Sequence, residues 1–172
     1  MKLHIACGEK RLPGFTHVDI RPEVNPDIVA DASNMSMIPS HSVEEVYFCH
    51  GIEHLSLEDA RQALREFRRV LRLGGVLRIA TGDFTVLSWM YTIDHVPLRT
   101  IRAAIMGGQD YLANTHYSVW DFEVMKEELE HAGFTDVSRY NAEQWLPDGY
   151  WDWSIGEIAG ECISLNVISK SL

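Results

Sequence analysis

The residues able to do chemistry stand at the ends of short apolar runs. His50-Gly51-Ile52-Glu53-His54 follows the run 42–49, Asp19 closes 15–20, Asp31 follows 27–30, and Asp83 lies just past 76–80. A histidine in such a place serves as a general base or orients a reacting group. A carboxylate at a strand end accepts hydrogen bonds from paired hydroxyls, which suits Asp19 to a ribose. Asp31 and Ala32 are placed to meet a flat base, although Ala30-Asp31-Ala32-Ser33-Asn34 also reads as a polar turn. Asp83, in Ala80-Thr81-Gly82-Asp83-Phe84, projects toward the same rim and could orient a hydroxyl or amine. Ala6-Cys7-Gly8 pairs small residues with a glycine, which lets backbone approach a ligand that a side chain would block. His116 and Tyr111 are further candidates, on a polar and aromatic stretch that equally suits a surface connection.

His50 and His54 are four apart, a spacing that places two rings on one helical face. Only these two good metal ligands are local, and a third would have to come from elsewhere in the chain, so no metal site is expected. Cys7, Cys49 and Cys162 are widely spaced and odd in number, which fits neither a disulfide framework nor a zinc pattern. Cys7 and Cys49 read as packed thiols at the ends of neighbouring strands. A reducing cytoplasm is the simplest setting for such a chain.

Positioning these groups requires a succession of strands and helices. Strands are expected at 2–6, 15–20, 27–30, 42–49, 76–80, 134–140 and 162–168, the last antiparallel. A helix over 57–71 shows clean apolar periodicity, with Gly74-Gly75 as its stop. Shorter helices are expected near 85–92, 98–106 and 122–132, the last capped by Asp121 and ended by Gly133. Strand, helix and fully apolar strand in succession predict a parallel βαβ unit. In open α/β sheets the ligand site lies beyond the carboxyl ends of the strands, where the candidates above fall.

The chain has 172 residues, enough for one domain with a full core. A net charge of −10 opposes nucleic-acid binding. One local exception is the row Arg61, Arg65, Arg68, Arg69 and Arg72, which is either an anion-docking surface or a solvated helix back. No run approaches the roughly 20 apolar residues of a membrane span. The loop 145–153 carries Trp145, Trp151 and Trp153 beside aspartates. It suits saccharide stacking, a protein contact such as a homodimer surface, or cover for the sheet.

Leu3-His4-Ile5-Ala6-Cys7-Gly8, Leu12-Pro13-Gly14-Phe15 and Val18-Asp19-Ile20 together resemble the opening of compact class I methyltransferases that use S-adenosylmethionine (SAM). Asp31-Ala32 fits their third element, and Val46-Tyr47-Phe48-Cys49-His50 with Glu53-His54-Leu55 their fourth strand and its sequel. The run from Phe67 to Leu77 resembles the helix and strand that close their core. The resemblance covers about the first half of the chain. It implies a Rossmann-like three-layer α/β sandwich with a mostly parallel seven-stranded sheet whose last strand is antiparallel. It also implies one domain over 1–172, with a cofactor core of about 1–83 and an acceptor-side insertion of about 84–120.

By the same resemblance, Ala6, Cys7 and Gly8 would underlie the methionine part of SAM, and Asp19 with Ile20 would hold the ribose end. Asp31 and Ala32 would border the adenine, and His50 would sit beside the sulfonium and the acceptor. Small methyltransferases of this kind resemble ones found among bacterial sugar genes, which points to a saccharide or other small hydroxylated acceptor. The chain departs from the pattern in two ways. Glu9-Lys10-Arg11 replaces further glycines, and only about ten residues separate Gly8 from Asp19 where a dinucleotide-binding unit has about 20. The first crossover helix must therefore be shortened or absent, which disfavours a nicotinamide oxidoreductase. The sequence after the fourth strand lacks an Asn/Asp-Pro-Pro-aromatic motif, leaving a non-catalytic SAM-binding module as the alternative.

Overall fold

The computed structural model describes residues 1–172, apart from the side chain of Leu112. The chain begins with β1 (Lys2–Ile5), β2 (Thr16–Asp19), β3 (Ile28–Val29) and β4 (Val43–Cys49). Helix α1 (Leu57–Val70) leads into β5 (Leu71–Gly82), and α2 (Phe84–Thr92) and α3 (Leu98–Met106) follow. Next come α4 (Phe122–His131), β6 (Phe134–Arg139) and the single-turn α5 (Ala142–Trp145). A small hairpin of β7 (Glu157–Ile158) and β8 (Glu161–Cys162) precedes β9 (Ser164–Ser171). Seven strands form one sheet in the order β3-β2-β1-β4-β5-β9-β6. β9 is antiparallel to both β5 and β6, while the pairs from β3 across to β5 are parallel.

Alternation along each strand decides which face a residue buries. Leu3, Ile5, Val46, Phe48, Leu77, Ile79, Leu165 and Val167 form one core face. Helix α1 covers it with Ala60, Ala63, Leu64, Phe67 and Val70, and α4 adds Met125 and Leu129. Ser56 caps α1 by accepting from the Asp59 N–H, and Asp121 caps α4 by accepting from the Val124 N–H. The arginines on the back of α1 are engaged by neighbours: Arg61 by Glu128, Arg65 by Glu58, Arg69 by Glu66, and Arg68 by the Gly133 carbonyl. That is a solvated, charge-compensated helix back.

Helix α1 stops earlier than its glycines suggest. It ends at Val70, and Leu71 turns into extended backbone to pair with Val43. Gly74, at φ +70°, instead makes the irregularity between that pair and the regular ladder from Val76 onward. The closing strand also lies later than expected, at Ser164–Ser171, because Glu161–Cys162 is taken into the hairpin with β7.

The second face of the sheet has no long helix over it. Neither the link 6–15 nor the link 20–27 forms an α-helix among the described residues. Tyr47, Cys49 and Ala80 on this face are covered by Leu12, Phe15, Trp145, Leu146, Tyr150 and Ile155. The Trp145 ring lies 4.7 Å from Tyr47, and the Tyr47 hydroxyl donates to the buried Asp152 at 2.8 Å. The tryptophan loop thus occupies the place that crossover helices hold on the first face.

Candidate functional site

A cleft of about 270 Å³ opens beyond the carboxyl ends of β1, β2, β3 and β4. Ala6, Asp19, Ile20, Asp31, Ala32 and His50 all line it, so residues from four strand ends meet as the sequence predicts. Ala6 and His50 both adopt positive φ, 53° and 46°. Strained backbone of this kind is stored where a site needs it. It turns both residues off their strands at the cleft.

Asp19 is 4% exposed yet faces the cleft. Its Oδ2 accepts the Gly8 N–H at 2.8 Å, and its Oδ1 accepts from the Arg21 N–H at 2.9 Å and Arg21 Nε at 3.3 Å. A carboxylate has about four acceptor positions, so capacity remains for an incoming hydroxyl. Asp31 Oδ1 accepts from both the N–H and the hydroxyl of Ser33, at 2.8 Å each. It is therefore both turn-former and cleft wall. Gly8 and Cys7 do not line the cleft: Gly8 anchors Asp19, and the Cys7 thiol is packed, with burial first and Asp19 next pushing it up to about 11. Cys49 is likewise buried and pushed up by burial.

Arg11, one of the residues in place of glycine, holds the short first link together. Its guanidinium donates to Gly8 O, Lys10 O, Val24 O and Asn25 O. One side chain thereby ties the loop after β1 to the turn after β2, work that a helix would otherwise do.

Both ring nitrogens of His50 are engaged. Its Nδ1 lies 2.8 Å from Glu53 Oε1, and its Nε2 lies 2.7 Å from Ser164 Oγ. The Ser164 hydroxyl also faces the Trp153 carbonyl at 2.5 Å. Glu53 is 3% exposed; burial alone would raise its carboxyl, but the neighbouring His50 and His54 outweigh this and bring it down to about 2. A buried carboxylate that stays ionised beside histidines polarises them as proton acceptors.

The other two catalytic candidates are not brought to the cleft. Asp83 is 1% exposed, caps α2 through the Thr85 N–H, and accepts from Arg139 Nη1 at 2.9 Å. Its place is that of a structural cap. His116 packs edge-on against His54, ring centres 4.7 Å apart, behind the cleft wall. Tyr111 does reach the cleft, and Arg21 Nη1 lies 3.3 Å from its hydroxyl. The chain leaves the core at Asp83 and returns at Trp120, where the two residues form an isolated parallel bridge. Arg21, Gly51, Leu55 and Ser164 were not legible as site residues. Only the Glu53 of His-Gly-Ile-Glu-His carried a signal, as a carboxylate one helical turn from His50.

Residues 6–79 match the family model described as a methyltransferase domain. No curated protein matches the sequence. Among solved structures, the chain is similar to a SAM-dependent methyltransferase of Thermotoga maritima described as a possible histamine N-methyltransferase. The two share 15% identity over 99% of this chain and 82% of that one, with a TM-score of 0.61. A SAM-dependent methyltransferase of Archaeoglobus fulgidus is 18% identical over 98% of this chain and 85% of that one, with a TM-score of 0.62. A putative methyltransferase of Bacillus halodurans is 15% identical over 99% and 91%, with a TM-score of 0.59. The fold is the Rossmann-like fold of these class I methyltransferases, and the match to the methyltransferase-domain model covers the strand ends that line the cleft.

Proposed function

We propose that the cleft binds SAM and that the chain transfers its methyl group to a small hydroxylated acceptor, a saccharide or similar metabolite. The observation that carries this reading is the convergence of Ala6, Asp19, Asp31 and His50 on one cleft at four strand ends. The lining fits the donor: Ala6, Ala30 and Ala32 leave space, Asp19 offers an acceptor for ribose hydroxyls, and Ile20 and Leu55 offer apolar cover for a flat ring. When bound, SAM supplies an electrophilic methyl on a sulfonium that is already a good leaving group. The protein's contribution is then alignment and exclusion of water.

A hydroxyl acceptor must also lose a proton. His50 stands at the cleft with Glu53 behind it to stabilise a charged ring. Ser164 serves both states of that ring. Its hydroxyl donates to Nε2 when the ring is neutral, and turns to the Trp153 carbonyl when Nε2 carries the proton. A small acceptor rather than nucleic acid is supported by the net charge of −10 and by the paired arginines of α1. The segment 84–120, bracketed by the Asp83–Trp120 bridge and carrying Tyr111 to the cleft, would form the acceptor side.

Titration calorimetry with SAM and with its demethylated product tests the reading. Binding should weaken at least tenfold, about 1.4 kcal/mol, in Asp19→Ala. Absence of binding to either ligand in the wild type would sink it, leaving a scaffold whose shortened first link has lost the cofactor.

A further inference from the structure

The segment after β4 and the return of the 84–120 excursion are joined edge to edge. The Tyr117 N–H donates to Glu53 O at 2.8 Å, and His54 Nδ1 meets Thr115 O at 3.1 Å. This contact brings Glu53, His54 and His116 together, with one ligand atom from each lying within 4.8 Å of the others. The third ligand, lacking near His50 and His54 in the sequence, arrives from more than sixty positions away. We propose that Glu53, His54 and His116 form a binding site for one divalent transition ion of the zinc class, clamping the excursion to the sheet.

The chemistry of the three groups supports this. The Thr115 carbonyl can only accept, so His54 Nδ1 carries its proton and Nε2 keeps a free lone pair. A backbone carbonyl fixing the tautomer of a metal-binding histidine is the usual outer-shell arrangement. Glu53 Oε1, although 2.8 Å from His50 Nδ1, accepts no aligned hydrogen bond in its buried position, while Oε2 accepts from Thr81 Oγ1 at 3.0 Å. A buried oxygen of an ionised carboxylate thus retains lone pairs next to two imidazoles. A cavity of about 10 Å³ adjoins Glu53 and His116, with Thr81 and Ser118 also in its lining. Ligands on a tetrahedral zinc at about 2.1 Å lie roughly 3.4 Å apart. Both histidines are half-buried and can rotate to close that difference. Two imidazoles and one carboxylate form a set that suits zinc and its neighbours rather than calcium or magnesium.

The site stands or falls independently of SAM, so it is tested without it. Chelator-treated protein is titrated with zinc chloride by calorimetry, alongside His54→Ala, His116→Ala, His131→Ala and Cys162→Ser. One ion per chain is expected in the wild type. Affinity should fall at least tenfold in the first two variants and stay unchanged in the last two, which remove a remote histidine and the exposed thiol. Zinc should also raise the thermal midpoint of the wild type but not of His116→Ala, and the metal-free midpoints report whether either variant has unfolded. Wild-type affinity retained in both His54→Ala and His116→Ala, or no binding by a folded wild type, would overturn the proposal.

Discussion

At Gly51 the need for glycine comes from close approach, since its φ of −128° suits any residue. An added Cβ would lie 2.3 Å from Phe48 Cε2 and 2.8 Å from the Ala6 Cβ. Phe48 and Ala6 both line the cleft, so relief of the clash must deform it. Gly51→Ala should therefore cost about 1–3 kcal/mol of stability and weaken SAM binding together. Urea unfolding and calorimetry on the same preparation check this; a destabilised variant with unchanged SAM affinity would place the cofactor elsewhere. Much of this site could be read in advance, because Ala6, Asp19, Asp31 and His50 each stand at a strand end. Tyr111 stood among the candidates, but Arg21 could not be read, because it lies 90 positions from Tyr111 and meets it only through the tertiary fold. Asp83 was misplaced for a reason visible in the sequence. An aspartate just before an apolar helical run is a cap, and here it caps α2.

Among the elements, α5 and the loop after it answer a problem set by the first two links. With no α-helix in either, the second face of the sheet would expose Tyr47, Cys49 and Ala80. Trp145 covers them, with Tyr47 at 4.7 Å, Tyr140 at 6.0 Å, Phe15 at 6.2 Å and the Arg78 guanidinium 4.6 Å above its ring. Trp145→Ala should cost about 3 kcal/mol, and Trp145→Phe much less. A loss below about 1 kcal/mol in denaturant unfolding of Trp145→Ala would show that this face does not depend on the cover. The shortened crossover was legible from the Gly8–Asp19 spacing, and the parallel core from its apolar runs. The element that compensates was not, because aromatic residues among aspartates and turns suit stacking on a ligand as well as packing on a sheet. Trp145 took the packing role, while Trp151 and Trp153 remain 45% and 48% exposed. Helix α1 ends within one residue of its expected bound, but β5 begins before the glycines because Leu71 pairs with Val43.

For the molecule as a whole, acid sensitivity follows from a histidine in the middle of the sheet. His4 on β1 is 2% exposed, its ring 5.1 Å from Tyr47 and 5.8 Å from His17, and its Nδ1 has no hydrogen-bond partner among the described residues. Burial, aided by His17 and Arg11 and opposed by Asp152 and Asp19, lowers its pKa from 6.5 to about 4. The unfolded chain therefore takes up a proton below about 6.5 that the fold refuses until about 4. Stability is fully present above that window and falls as pH drops through it, by at most about 3 kcal/mol from this group. His116, lowered chiefly by burial, adds to the slope with the same sign. Glu53, held at about 2, acts only below the ordinary carboxylate range, so its contribution is lost in a separate and more acidic window. Urea unfolding at pH 7.5, 6 and 5 should show the wild type losing stability stepwise. His4→Phe, which keeps a ring against Tyr47 but cannot take a proton, should lose distinctly less. Equal slopes in the two proteins would mean that the buried His4 does not set the acid limit of this fold.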